Sequence, residues 1–244
     1  MKELVKEQLA PTGVLRAGIN MSNFLLVSSA AANGDPAGVS PDMAKAIADD
    51  LGVDLQLIPY NGPGDVADGA INDEWDIANI AAEAERAKTI MFSRAYCEIQ
   101  ATYLLPPHSA IRTLADVDQP GVKISVKERA AYDLWLTENL TKASLVRTAT
   151  MDESFTVFKE QAVDVLAGLR PRLLDDATKI PGSTLMEQSF TAVQQSVGCQ
   201  RGKPAAASYL NAFISQSITQ GLVAKLIDQH GVSGKLSVAP ALAT

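Results

Sequence analysis

Trp75-Asp-Ile-Ala-Asn-Ile-Ala-Ala-Glu-Ala-Glu-Arg-Ala-Lys-Thr-Ile-Met-Phe-Ser-Arg-Ala-Tyr96 decides the fold. It opens with a short apolar run that reads as a buried strand, then breaks. One charged helical turn carrying Arg86 follows, and the chain returns through Phe92-Ser93 to Tyr96. An arginine just past the end of a core strand is placed to meet an anion. Upstream, Gly13-Val-Leu-Arg-Ala-Gly-Ile-Asn20 is another short apolar run that ends in a polar residue.

The residues between these runs complete an alternating pattern. Ser40 is the expected helix cap, Pro41 the first helical residue, and Asp42 the acid at the positive end of the dipole. Met43, Ala44, Ile47, Ala48 and Leu51 form one apolar stripe, and Gly52 stops the helix. Residues 53–59 alternate as a strand, 63–72 read as a helix, and 75–80 as the next strand. Such a βαβαβ order specifies a parallel sheet with covering helices. A second unit follows: an extended run over 98–105, a short helix at 114–118, a strand at 122–126, a helix over 128–139, a strand at 144–148, a helix over 151–161 and a strand at 163–167. Residues 192–199 are extended, and 204–217 and 221–230 are helical. The small-residue stretch 231–244, with Pro240, reads as a tail.

Composition narrows the function classes. The 244 residues are 47% apolar and 20% charged, ordinary for a globular chain able to bury one large core or two modest ones. No apolar run is long enough for a transmembrane helix, so no membrane insertion is expected. The formal net charge of -7, with both signs interspersed, argues against nucleic acid as a partner. Residues 1–10 are amphipathic and charged, without the apolar centre of a secretory signal. Two histidines and two cysteines, with no cluster, give no expected metal or cofactor.

The chain resembles the periplasmic solute-binding proteins of the amino-acid-binding class, family 3. The resemblance rests on the Gly13-Ile19 run, on Gly38-Val-Ser-Pro-Asp-Met-Ala-Lys-Ala-Ile-Ala-Asp-Asp-Leu-Gly-Val53, on Trp75-Asp-Ile-Ala, on Glu85-Arg86-Ala87 with Phe92-Ser93 and Tyr96, and on Val163-Asp164. It implies an α/β, two-lobed fold of the class II type, with two strands crossing near Gln100 and Gln194. Lobe 1 would be discontinuous, 1–99 plus 195–244, and lobe 2 would be 100–194. A ligand would sit between the lobes and be enclosed by hinge closure. The family also implies a periplasmic location and an ABC permease as partner, with a monomeric chain. A cytoplasmic location is the alternative, because this sequence shows no signal.

Site residues follow from the same resemblance. Arg86 matches the arginine that grips the ligand's carboxylate, and its planar fork suits that role. The alternative is a surface arginine paired with Glu83 or Glu85. Asn79 and Ala81 fall where the family supplies backbone and small-hydroxyl contacts. Glu83 stands where a hydroxyl is usual, and either orients Arg86, accepts an ammonium group or faces solvent. Asn20, Asn23 and Phe24 follow the first strand, where the family places a polar contact and an aromatic lid. In the second lobe, Ser125 and Lys127 occupy the anion-binding turn. Gln100 and Gln195 lie at the crossings. Where amino-acid-binding members carry an aspartate for the ligand's ammonium, this chain has Leu169 followed by Arg170. A buried ammonium without an anion costs several kcal/mol. Two readings remain: the ligand lacks an ammonium, or Glu83 or Glu98 supplies the charge. Cyclohexadienyl dehydratases share this scaffold, so an enzyme using Glu83 or Glu98 is the alternative to a binding protein. A ligand-sensing module is a third. Cys97 and Cys199 lie near the crossings, either as buried thiols or as a disulfide.

Overall fold

The computed structural model describes residues 2–30 and 34–240. The chain divides into two compact units, Met1–Glu98 with Gln194–Thr244, and Ile99–Val193. The N-terminal segment forms α1 (Lys2–Leu9), with Val5 and Leu9 buried. β1 (Val14–Asn20) follows, then a small ribbon of β2 (Ser29–Ala30) and β3 (Pro36–Ala37).

α2 (Val39–Leu51) starts earlier than its sequence suggests. Its cap is Gly38, not Ser40. Ser40 is 1% exposed, and its amide donates to the Leu26 carbonyl while its hydroxyl meets Tyr96 Oη at 3.1 Å. A side chain spent on the core cannot cap. The C-terminal end is as expected: Gly52 is left-handed, with φ 66°, and its N–H reaches the Ala48 and Asp49 carbonyls.

β4 (Asp54–Tyr60), α3 (Pro63–Ile71) and β5 (Ile77–Ala81) complete the first βαβαβ run. β1 lies between β4 and β5 and is parallel to both. β5 begins two residues after Trp75 because Asp76 replaces a backbone rung with its side chain. Its N–H donates to the Arg16 carbonyl, and its carboxylate accepts from the Arg16 amide at 2.9 Å and from the guanidinium at 2.9 and 3.0 Å. That pairing raises the Arg16 pKa, against the opposing effect of burial. Trp75 itself is fully buried among Val66, Ala70, Ile80 and Ile90, and its indole N–H donates to the Val66 carbonyl at 2.8 Å. It thereby fastens α3 onto the sheet.

Arg86–Lys88 form a 3-10 turn, and β6 (Ile90–Phe92) leads to β7 (Cys97–Leu105), which carries the chain into the second unit. There follow α4 (Leu114–Val117), β8 (Lys123–Lys127), α5 (Ala131–Asn139), β9 (Ser144–Thr148), α6 (Met151–Lys159), β10 (Val165–Leu169), α7 (Arg170–Ala177) and β11 (Thr184–Leu185). The sheet order here is β7-β10-β8-β9, with β8 parallel to both neighbours and β10 antiparallel to β7. Leu104, Phe158, Val163, Leu166 and Leu173 make its core under α6 and α7. α5 starts three residues later than expected, since Arg129 takes a positive φ of 57° and breaks the lead-in.

β12 (Thr191–Gln200) returns the chain to the first unit, where it lies antiparallel to β5 and β6. α8 (Pro204–Thr219) and α9 (Leu222–Gln229) then pack on that unit, α8 against α1 and α9 against α2. Residues 231–240 are not a tail. Val232, Leu236 and Ala239 are buried, and β13 (Ser237–Val238) pairs with the start of β7. The rest of that stretch, 241–244, lies outside the described residues. The architecture is the expected α/β, two-lobed, class II type, with β7 and β12 as the crossing strands. No helix among the described residues is long and apolar enough to cross a membrane.

Candidate functional site

In the first unit the expected residues gather at the carboxyl ends of β1 and β5. Ile19 pairs with Asn79 in the parallel register, so Asn20 and Ala81 leave neighbouring strands at the same end of the sheet. Open α/β sheets present ligand sites at such ends. Arg86 is 4% exposed, and its Nη1 donates to the Ala81 carbonyl at 2.9 Å. The guanidinium is therefore held at the strand end rather than displayed on the surface. Of the surface pairings expected as its alternative, Glu85 is taken by Lys88. Glu83 is half-buried in the same turn.

Gln195 is opposite Ala81 in the antiparallel register of β12 and β5, and is 5% exposed. Its backbone carbonyl accepts from the Tyr96 amide at 2.8 Å. Asn23 is buried, and its side-chain oxygen accepts from the Leu25 amide at 3.3 Å. Asn20 folds the loop in the same manner, accepting from the Ser22 amide and hydroxyl at 3.1 and 2.8 Å. Phe24 is half-buried between them. These two asparagines shape the loop after β1, work that the sequence does not separate from ligand contact.

Asn79 is placed differently from its neighbours. It is 1% exposed, and its Nδ2 donates to the Ser40 carbonyl at 2.8 Å, tying β5 to the first turn of α2. Its Oδ1 is buried without a hydrogen-bond partner among the described residues. Tyr96 completes this internal cluster, and burial raises its phenol pKa well above the ordinary value.

In the second unit, Ser125 and Lys127 alternate along β8. Ser125 is fully buried, and its hydroxyl donates to the Ser154 carbonyl at 3.0 Å, linking β8 to α6. Lys127 is 9% exposed at the end of that strand. Gln100 and Arg170 are brought together: Arg170 Nε donates to Gln100 Oε1 at 2.7 Å. Ser189, which no sequence signal marks, joins them, accepting from Arg170 Nη2 at 3.1 Å. Leu169 closes β10 and is 8% exposed, so no carboxylate stands at that position. Glu98, the other acid considered for an ammonium, accepts from Gln194 Nε2 at 2.8 Å in the first unit. Cys97 and Cys199 are both buried free thiols.

Among curated proteins, the chain is 30% identical to the cyclohexadienyl dehydratase of Pseudomonas aeruginosa over 167 residues, which are 67% of this chain and 60% of that enzyme. Among solved structures it is similar to the ancestral amino acid-binding protein described as a precursor of cyclohexadienyl dehydratase. That match has a TM-score of 0.72 at 23% identity, over 91% of this chain and 97% of the other. It is also similar to a lysine-complexed putative ABC-transporter binding component from Wolinella succinogenes, with a TM-score of 0.74 at 20% identity over 92% and 98% of the two chains. A Streptococcus pneumoniae amino acid ABC transporter substrate-binding protein bound to L-arginine gives 0.73 at 20% identity, over 92% and 97%. These structural likenesses carry the fold. Residues 15–233 match the family model itself. The chain belongs to the bacterial extracellular solute-binding proteins, family 3.

Proposed function

We propose that this protein is a binding protein for a small organic carboxylate or amino-acid-like molecule, working by hinge closure of its two lobes. The observation that carries the reading is Arg86 at the carboxyl end of β5, buried and held on the Ala81 carbonyl. A guanidinium fixed in this way gives up little side-chain entropy on receiving a carboxylate. Ala81, Asn20, Asn23, Phe24, Glu83, Asn79 and Gln195 are the first unit's candidates around it. Gln100, Ser125, Lys127 and Arg170 are those of the second. The lobes are proposed as 1–99 with 195–244, and 100–194. An ABC permease as partner, a periplasmic location and a monomeric state belong to the same proposal. Thermal melting across a panel of carboxylates and amino acids tests it. A ligand at about 100 times its dissociation constant adds about 2.7 kcal/mol of stability. A panel with no stabilising member sinks the reading.

A second reading is favoured by the 30% identity to a dehydratase. Glu83 or Glu98 would then move a proton in the same site. Incubation of purified protein with prephenate or arogenate, followed for loss of substrate, decides it. No turnover removes the enzyme.

A further inference from the structure

Seven asparagines fall among the described residues, and six of their side chains are hydrogen-bonded. Asn20 and Asn23 accept from amides of their own loop, Asn79 and Asn139 donate to carbonyls, Asn72 donates to Glu74, and Asn211 accepts from the Arg94 amide. Asn61 is the exception. It is exposed, and neither end of its side-chain amide has a partner among the described residues.

Its neighbour sharpens the point. Asn61 and Gly62 join Tyr60, the end of β4, to Pro63, the start of α3. Gly62 is extended, with φ -156° and ψ 166°, and its N–H donates to no acceptor among the described residues. A backbone nitrogen outside any ladder is free to act as a nucleophile, and glycine has no Cβ to block a side chain folding back onto it. Gly62 is buried, but the reacting atoms belong to one dipeptide and need no reagent larger than water.

We propose that Asn61 is a modification site, at which the chain deamidates itself. The Gly62 nitrogen gives up its proton and bonds to Asn61 Cγ, the bond from Cγ to Nδ2 breaks, and ammonia leaves, closing a succinimide ring. One water then opens the ring at either carbonyl and leaves aspartate or isoaspartate at position 61. The new carboxylate stands just before Gly62, the cap of α3, where the helix dipole favours an anion. Tyr60 pairs with Asn20, so the charge appears at the carboxyl end of the first unit's sheet, the end that also holds Arg86. That the charge then opposes an incoming carboxylate is the one consequence that rests on the binding reading above.

Incubation of the folded full chain in heavy-oxygen water, followed by peptide mass spectrometry and an isoaspartyl methyltransferase assay, tests it. Asn61 is expected to gain the amide-to-acid mass difference and one heavy oxygen, faster at alkaline than at acid pH. It should convert severalfold faster than Asn72, Asn139 or Asn211. N61Q should lose the conversion and its isoaspartyl signal, and G62A should slow it severalfold. Asn33, which also precedes a glycine, lies outside the described residues, and cleavage at Lys45 puts it on a separate peptide. An Asn61 that keeps its amide in the folded protein overturns the proposal, and its conversion in urea alone would show that the fold protects it. Conversion of Asn72 or Asn211 at the same rate also overturns it, since their hydrogen bonds would then make no difference. None of these results touches the binding reading.

Discussion

Arg86 Nη1 donates to the Ala81 carbonyl, 2.9 Å away and five residues back along the chain. One bond closes the break between β5 and the following 3-10 turn and fixes a buried cation at the end of a core strand.

Two functions of that arginine separate by substitution. Arg86→Lys keeps a charge but loses the planar fork. Carboxylate affinity is expected to fall at least roughly tenfold, with a modest loss of melting temperature. Arg86→Ala should lose affinity and also cost about 1–3 kcal/mol, because the Ala81 carbonyl is left unsatisfied in a buried place. Calorimetry with the best ligand found in the panel, beside urea unfolding, reads both. Undiminished affinity in Arg86→Lys would remove Arg86 as the clamp.

Asp118 sets a pH dependence in the second unit. Its carboxylate accepts from the amides of Ala143, Lys142 and Thr141 and from the Thr141 hydroxyl, at 2.8–3.2 Å. The Ala143 amide, against desolvation and with the other donors, holds its pKa well below the ordinary carboxylate range. A lowered native pKa means that this stabilisation is complete above the unfolded value of about 3.9 and is lost as pH falls toward the native one. Asp118→Asn turns a donor toward those donors, and is expected to lower the melting temperature by roughly 2–4 °C at neutral pH. The gap between variant and wild type should narrow below about pH 4. A gap that widens on acidification contradicts the assignment.

Asp176 is the buried hub of a cation pair. It is 1% exposed and meets Arg172 Nε and Lys179 Nζ, each at 2.8 Å. Asp176→Ala removes the acceptor of two charge-assisted hydrogen bonds, while Arg172 keeps Asp152 and Lys179 turns to solvent, so it should cost about 1–3 kcal/mol in urea unfolding. Lys179→Ala should cost well under 1 kcal/mol, since that lysine is half exposed and largely screened. Equal losses in the two variants would show that burial does not set the balance.

Packing predicts a further cost at Gly198 on β12, where a Cβ would overlap Ile90 and press on Phe92 at 3.1 Å. β6 and β5 flank the strand there, so the neighbours cannot simply turn away. Gly198→Ala should destabilise by about 1–3 kcal/mol, the usual cost of overpacking. Ile90→Ala removes the overlapping Cγ2, so the double variant should lose less than the sum of the two single losses, and additive losses would refute the clash.

Local rules made much of this legible. The stop at Gly52 and the strand at 144–148 follow from a left-handed cap and a short β-branched run. The alternation of strands and helices gives the parallel units, and a family motif points to Arg86. What escaped was tertiary. Ser40 looks like a cap, yet its hydroxyl belongs to Tyr96, 56 residues away. The hydrogen bonds of Ser125 and Asn79 run to carbonyls 29 and 39 residues distant, structural ties that no local pattern announces. The helix at Arg170–Ala177 has no counterpart in the strand-and-helix pattern read above, although Pro171 is at home in its first turn. Residues 231–240 lack periodicity, so nothing local announces that Val232, Leu236 and Ala239 are buried.

The two thiols give a test of the first unit's core. Cys97 and Cys199 are unbonded and fully buried. Burial pushes the Cys199 pKa up to about 11 and holds that of Cys97 well above its ordinary value, with Glu98 adding to the latter. At pH 8 roughly one Cys199 in a thousand would be thiolate even if reagent reached it, against a substantial fraction for an exposed thiol of pKa about 8.5. Native protein is therefore expected to resist a thiol-specific disulfide reagent, and both cysteines should label at the rate of unfolding. Adding urea through the transition should convert zero labelled thiols per chain to two, in step with loss of tryptophan burial at Trp75. A C199S variant should halve the final count without changing the lag. Rapid labelling of the folded chain at pH 8 would mean that the β12 core opens locally, well below the free energy of global unfolding.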